Sequence, residues 1–569
     1  MKHTFMKGLA AAAVVTVALG ACSSSGSPSS SSSGGSSSGS SSNAKTLVID
    51  DTPLSPMTQT FSPYLSTSTG YVVQALALYN EPLMIFNTLN PQQKPYMELA
   101  TGYSWSADGK TLTLHTRPNV QWNDGKPFSA ADVAFTFNMI KHSKGLTTDG
   151  TPVPVSATAP DANTAVLKFS QPEFANLFLI GHTFIVPEHI WSKVTPATFT
   201  DPNPVGTGPF MLDKFSPQGF TLKQNPHYWN KAAVKVQEIS YPAYTANFNI
   251  VNPLAAGEID YAGNFIPDVE KVYLSKSPDN HTWYTKAPYA TANNVVSLFF
   301  NVHKAPLNDP AVRKAVSFGI NRQQLSTQAE TGYELPITST SGLLLPSANS
   351  FMDPALANNL PAGGDPSTVS KTLTADGYTK VNGKWTKDGH KISFSISDPI
   401  PYSDYYTGAQ LIAHQLNALG FDVTVDGISD PSVWAGNLTN GKFDSAIHWS
   451  NQGPTPYQIY DNWLDFELSA PIGQAAAGDL GRYHSPAAQS ALNEFAGTAD
   501  AAGQKAAILK LEKIMDQETP VAPLLTGALW YEYSTKNFTG WPSADNPYMN
   551  PTPNSPYILE TVLHLTPAA

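Results

Sequence analysis

The chain has 569 residues, 14% charged and 41% hydrophobic, a balance that supports a packed core and excludes a disordered polymer. A net charge of −11 without any Lys/Arg-rich run leaves nothing to neutralise phosphates, so no nucleic-acid partner is expected. The single cysteine excludes a disulfide framework and any Cys-cluster metal site.

The position of that cysteine supplies its role. Lys2 and Lys7 form a positive head, Leu9 to Leu19 an Ala/Val-rich apolar stretch, and Leu19-Gly20-Ala21-Cys22 follows, a pattern that resembles a bacterial lipobox. The apolar stretch is shorter than the ~20 residues of a membrane-spanning helix. Residues 1–21 therefore read as a lipoprotein signal peptide and Cys22 as the lipidated mature N-terminus; a short membrane anchor with an incidental thiol is the alternative. Residues 22–43 are a Ser/Gly tether that buries nothing, and twenty such residues reach roughly 25 Å as a flexible coil. Gly35-Ser36-Ser37-Ser38-Gly39 matches the GxSxG of serine hydrolases only in letters, because that chemistry needs a strand-to-helix elbow.

Strand and helix signals then alternate without a repeat, as in an α/β body. Thr46-Leu47-Val48-Ile49 reads as a strand. Asp108-Gly109 turns a hairpin from Trp105 into Thr111–His115, with Leu112 and Leu114 inward. Ser129 and Asp132 form a capping-box start for a helix that buries Val133, Phe137 and Ile140. Asp309-Pro310 caps a second helix, with an apolar stripe through Val312, Ala315, Val316 and Ile320. A third carries Leu411, Ile412, Leu416 and Leu419, stops at Gly420, and returns as the strand Phe421–Val425 in a βαβ-style unit.

Several segments in this order carry a family resemblance. Pro95–Ala100, Trp105–Leu114 and Trp122–Val133 resemble the signature block of the family 5 extracytoplasmic solute-binding proteins, the receptors of ABC importers. The likeness continues through Pro204–Phe210, Asn225–Trp229, Gly257–Asp260 and Phe300-Asn301 into Asp309–Arg322. It implies a two-lobed periplasmic-binding-protein fold of type II (class C) with an extra N-terminal domain. Lobe I would comprise 44–70, 203–290 and 525–569, the extra domain 71–202, and lobe II 291–524. It further implies a monomer outside the cytoplasm, lipid-anchored to the outer face of the cell membrane, with permease and ATPase subunits as partners, no cofactor and no catalysis. Two other classes compete with import: a wall-anchored glycoside hydrolase, which needs paired carboxylates, and a sugar or peptide sensor without transport.

The conspicuous glycines read as scaffold. Gly206, Gly208 and Pro209 flank Thr207 in a corner where glycine tolerates positive φ, more consistent with a turn than a phosphate cradle. The thirteen histidines form no His-x-x-x-His or His/Glu cluster, so no metal site is expected; His182 and His189 are the nearest pair. The expected ligand segment is Phe443–Tyr457, where an apolar strand ends in Trp449 and enters a Gly/Pro loop. Peptide-binding relatives carry, three residues after this tryptophan, an Asp that pairs with the peptide amino terminus; here the residue is Gln452, whose neutral amide suits hydroxyl groups. Trp434, Asn451, Tyr457, Tyr460 and Trp463 add aromatic faces and an amide, a combination suited to an uncharged ligand. Trp530 and Tyr531 open a tail, continuing through Trp541 and Tyr548, that resembles the oligosaccharide-taking subgroup. The expected ligand set is therefore Trp449, Asn451, Gln452, Trp434, Tyr457, Trp530 and Tyr531, holding an oligosaccharide or an oligopeptide.

Overall fold

The computed structural model describes residues 46–568, apart from positions 149, 346 and 499. Cys22 and the segments read as a signal peptide and a tether lie outside the described residues. Two α/β lobes form the body. In the first, Thr46–Asp50 is central and parallel to both neighbours, Glu238–Pro242 and Tyr261–Ala262, within a seven-stranded sheet. Leu47 and Ile49, which alternate along this strand, are fully buried in a core with Phe61, Tyr79, Tyr241 and Trp541.

In the second lobe the strands run in the order Asp422–Ile428, Ser393–Pro399, Ser445–Trp449, Thr291–Phe300 and Val521–Leu529. Thr291–Phe300 has an apolar run because both of its faces are covered. Val296, Leu298 and Phe300 face one core, against helices Pro310–Gly319 and Ser403–Leu419. Val295 and Phe299 face another, against Tyr457–Leu464, Pro486–Ala496 and Ala501–Glu518. Both helix starts are as read: Asp309 accepts from Ala311 N at 2.9 Å, and Ser129 with Asp132 closes a capping box on Ala130–His142. Gly420 ends Ser403–Leu419 with φ 102°, and the chain returns as a strand parallel to Ser393–Pro399.

A four-stranded antiparallel sheet, Ala100–Trp105, Thr111–Thr116, Thr164–Lys168 and Ser156–Asp161, packs on Ala130–His142 over the buried Leu112, Leu114, Val133 and Phe137. Two boundaries differ from the sequence reading. Val73 to Tyr79 contribute to the first lobe's core, so the extra layer starts later than residue 71. Residues 525–529 belong to the second sheet, because Val521–Leu529 pairs with Thr291–Phe300 along its length; the chain crosses to the first lobe only at Trp530-Tyr531.

The corner at Gly206 and Gly208 is a scaffold, for a different reason than positive φ, which neither residue has. A Cβ on Gly206 would sit 1.7 Å from the Tyr79 carbonyl oxygen, and one on Gly208 2.7 Å from that of Leu78. Gly208 N donates to Tyr79 O at 3.0 Å, so the segment leading into the first sheet lies directly on the backbone of the helix Leu76–Tyr79. Gly206→Ala must push two backbones apart inside a packed core. It is expected to cost about 3 kcal/mol, read as a lower urea midpoint with an unchanged slope; an unchanged midpoint would show that this corner yields freely.

Candidate binding cleft

Three cavities, of about 220, 130 and 220 Å³, share walls between the two lobes and the extra layer. Trp449 from the second lobe and Asn554 from the first line all three. Their other walls come from the carboxyl ends of strands: Asp51 and Thr52 follow Thr46–Asp50, Asn264 and Phe265 follow Tyr261–Ala262, and Tyr402, Asp404 and Tyr405 follow Ser393–Pro399. This is where open α/β sheets expose backbone and side chains to a ligand. The extra layer closes the first cavity with Thr148, Thr151 and His182.

Trp449 is the last residue of its strand, paired with Val296, and is 36% exposed. Its ring is held by a stack. His448 lies 4.4 Å from it at 19°, and Trp434 lies 5.4 Å from His448 at 26°. Burial pushes His448 down to about 4, so the imidazole is neutral and its Nδ1–H donates to Trp449 O at 2.6 Å. Tyr405 approaches the outer side of Trp449 at 6.4 Å.

The structure brings together five of the seven expected ligand residues. Trp449, Asn451, Gln452, Trp434 and Trp530 all line at least one of the three cavities. Gln452 Oε1 accepts from Asn550 Nδ2 at 2.8 Å, so half of its amide joins the lobes and its Nε2 makes no hydrogen bond among the described residues. Tyr457 and Tyr531 are corrections to the expected set. Tyr457 is buried against Phe495, 4.9 Å away at 17°, and its hydroxyl accepts from Asn176 Nδ2. Tyr531 is buried in the first lobe's core against Tyr533, with its hydroxyl donating to Pro542 O. Tyr460 and Trp463 are likewise core residues. A helix at Tyr457–Leu464 turns this stretch into the second lobe, so its aromatics pack there.

Sequence reasoning missed Asp51, Asn264, Asn294, Tyr402, Asp404, Tyr405 and Asn554. Asp51 was within reach, because it closely follows a strand read as such and a strand's carboxyl end is where ligand groups gather. The others depend on the lobes meeting, which no local pattern encodes.

The cavity walls are rich in neutral amides and carry no Lys or Arg. Asn264 Oδ1, Asn294 Oδ1, Asn462 Oδ1 and Trp434 Nε1 are buried atoms of lining residues and have no hydrogen-bond partner among the described residues. Two carboxyls face the middle cavity. Loss of hydration pushes Asp51 up to about 7 and Asp404 up to about 6. Behind Asp404, Glu334 is pushed up to about 8 by burial; its Oε1 accepts from Ala528 N at 2.7 Å and from the Tyr405 hydroxyl at 3.2 Å. His182 and His189 do not meet. His182 is held near 3 by burial and its Nε2 accepts from Phe86 N, whereas His189 pairs with Asp124 at 2.8 Å. Among the described residues no group of three His, Cys, Asp or Glu could hold a metal ion, and no helix is long and apolar enough to cross a membrane.

A cleft closed between two α/β lobes, with an extra sheet on one side, defines a two-lobed type II binding protein. The family model described as bacterial extracellular solute-binding proteins, family 5 middle, matches residues 94–467, and the chain belongs to that family. The glutathione-binding protein GsiB of Salmonella typhi is 29% identical over 50% of this chain and 56% of its own length, so the chain spans little more than half of that relative. The nickel-binding periplasmic protein of Escherichia coli is 25% identical over 68% of this chain and 72% of its own. Among solved structures, the mannohexaose-bound periplasmic oligopeptide-binding protein of Thermotoga maritima superposes with a TM-score of 0.83 at 26% identity. That match covers 92% of this chain and 99% of that one.

The buried carboxyls fix a pH response. Asp50 and Asp51, raised to about 7, and Glu81 and Glu334, raised to about 8, hold protons in the folded chain at pH values where the unfolded chain has released them. Stability therefore falls as pH rises through that window. His182 and His448, with depressed values, act in the opposite sense but only below about 6.5. Between pH 6.5 and 8 the melting midpoint should drop, and Asp51→Asn should flatten the slope. A midpoint that holds or rises over this interval contradicts the assignment.

Proposed function

We propose that the protein is the extracytoplasmic, lipid-anchored receptor of an ABC importer, capturing a small oligomeric solute between its lobes and presenting it to a permease with its ATPase. The preferred solute is an oligosaccharide. The observation that carries this reading is the pairing of Trp449, a partly exposed ring fixed by the His448–Trp434 stack, with lining amides that lack partners. A sugar ring offers an apolar face to the indole and hydroxyls that both donate and accept. The likeness to the mannohexaose-bound protein supports the same class of ligand. An oligopeptide is the second reading, favoured by the glutathione-binding relative. It lacks a basic side chain in these cavities to receive a peptide carboxylate.

The chain acts as a monomer, without catalysis or cofactor. Closure of the lobes is the functional step: the ligand binds the closed state better and shifts the population towards it. A glycoside hydrolase would use two carboxyls across one sugar, and Asp51 with Asp404 share a cavity. Membership of a solute-binding family and the apolar stack beside them favour capture over cleavage.

Oligosaccharides of four to six residues are expected to raise the melting midpoint, by about 2.7 kcal/mol of stability at 100 times the dissociation constant. Trp449→Ala should weaken that binding at least tenfold, while Tyr457→Phe should leave it unchanged. Chromatography should recover the sugars intact. Shifts from peptides alone would overturn the sugar assignment, and released shorter sugars would overturn the receptor assignment. Cys22→Ser should move the protein from the membrane to the soluble fraction; continued membrane retention would point to an uncleaved anchor.

A further inference from the structure

The middle cavity has a property that a neutral sugar does not account for. Asp51 enters it from the first lobe and Asp404 from the second, and no Lys, Arg or His lines it. Asp50 and Glu532 stand behind Asp51, while Asp398, Glu330 and Glu334 stand behind Asp404. None of these seven carboxyls forms an ion pair among the described residues. The chain does not treat all its buried acids this way. Arg117 lies beside Glu81 and Glu98, and Arg482 beside Asp479. Asp201 and Asp461 are also buried without a nearby cation, but Asp51 and Asp404 are the two acids that line one cavity from opposite lobes.

The hydrogen-bonding inventory points the same way. Asn264 lines the cavity, is 2% exposed, and commits its Nδ2 to Asp50 Oδ2 at 2.7 Å, which leaves its buried Oδ1 without a donor among the described residues. Asn294 also keeps an unmet Oδ1. Asp404 accepts from Asn247 Nδ2 at 3.3 Å and from backbone N–H groups at the start of its own helix, and Asp51 accepts from the Thr52 hydroxyl at 2.9 Å. The cavity thus holds an excess of acceptors. Beside them stand the rings of Trp449, Tyr405, Phe265 and Trp530. A hydroxyl brings one donor and no charge, whereas an ammonium brings three donors, a positive charge and an attraction to aromatic faces.

We propose that the cavity between Asp51 and Asp404 is a subsite for a primary ammonium group of the solute. The preferred ligand is then an amine-bearing oligomer seated on Trp449. This rests on the solute-capture reading above and narrows it. Two sources share that chemistry, an amino sugar and a peptide amino terminus, and the test separates them.

Isothermal titration of the purified protein with five probes decides the matter: a glucosamine tetramer, its fully N-acetylated counterpart, tetra-alanine, N-acetyl-tetra-alanine, and mannotetraose. In at least one matched pair the free amine should bind tenfold or more tightly than the acetylated form. Asp51→Asn or Asp404→Asn, each confirmed folded by circular dichroism, should cut that ratio at least fivefold. Equal binding within both pairs overturns the subsite, as does a ratio that survives both substitutions. Mannotetraose binding as tightly as the amines also overturns it, yet leaves the sugar-receptor reading standing. A preference confined to the peptide pair supports the subsite and overturns the sugar reading. Absence of binding by all five overturns both.

Discussion

The arrangement depends on two chain crossings that lie side by side. One runs from Asn280–Thr282 in the first sheet to Thr291–Phe300 in the second; the other returns from Val521–Leu529 to Glu532–Ser534. Thr282 is paired with Glu532 on one side of the crossing and Thr291 with Leu529 on the other. The two sheets are therefore joined by a narrow double strand, while their strand ends project polar residues into the space between. The position of Asp51, Asn264, Tyr402 and Trp449 follows from this constraint, since each sits at or just after the carboxyl end of a strand on its own lobe.

The cost of building such a cleft appears in its protonation. Carboxyls near the crossing are denied water and, in the cleft, denied cations, so their proton affinity is raised towards neutral pH, to about 6 for Asp404, about 7 for Asp51 and about 8 for Glu334. A fold selected for stability alone would pair or replace them. Their placement beside unmet amide oxygens and a fixed aromatic stack ties that cost to recognition. Elsewhere the same chain keeps its cores apolar, and the tight backbone corner at Gly206 is met by removing a side chain.

Elements governed by local physics were legible. The hairpin at Asp108-Gly109, the capping box at Ser129, the Pro-led helix after Asp309 and the glycine stop at Gly420 depend on neighbours within a few residues, and each stands as read. Trp449 was legible for a related reason: an apolar strand ending in an aromatic before a Gly/Pro loop states its own exposure. Tyr457 and Tyr531 failed because an aromatic in a functional stretch looks the same whether it faces a cavity or a core. The helix register at Tyr457–Leu464 and the sheet register at Tyr533 decide, and both are set by distant partners. Gly206 showed its importance but not its reason, since the approach of Tyr79 from over a hundred residues away leaves no mark on the local sequence. Asp404 and Asn554 line a cavity only through where the opposite lobe stands.

The polar contacts between lobes bound what a ligand must supply. Gln452 accepts from Asn550 at 2.8 Å and Asp404 from Asn247 at 3.3 Å, and the Tyr457 hydroxyl accepts from Asn176 of the extra layer at 3.2 Å. Each neutral bond of this kind is worth about 1 kcal/mol net, because water offers the same groups partners when the lobes part. Together they amount to a few kcal/mol, set against the freedom the lobes gain on opening and the desolvation of Asp51 and Asp404 on closing. These contacts make closure accessible rather than obligatory. Moving such a balance from 1:99 to 99:1 takes about 5.5 kcal/mol of differential affinity. Stacking on Trp449 and satisfaction of the unmet amides and carboxyls exist for the ligand only when both walls are in place. On the proposed reading, the residues that discriminate the solute are thereby the ones that close the lobes around it.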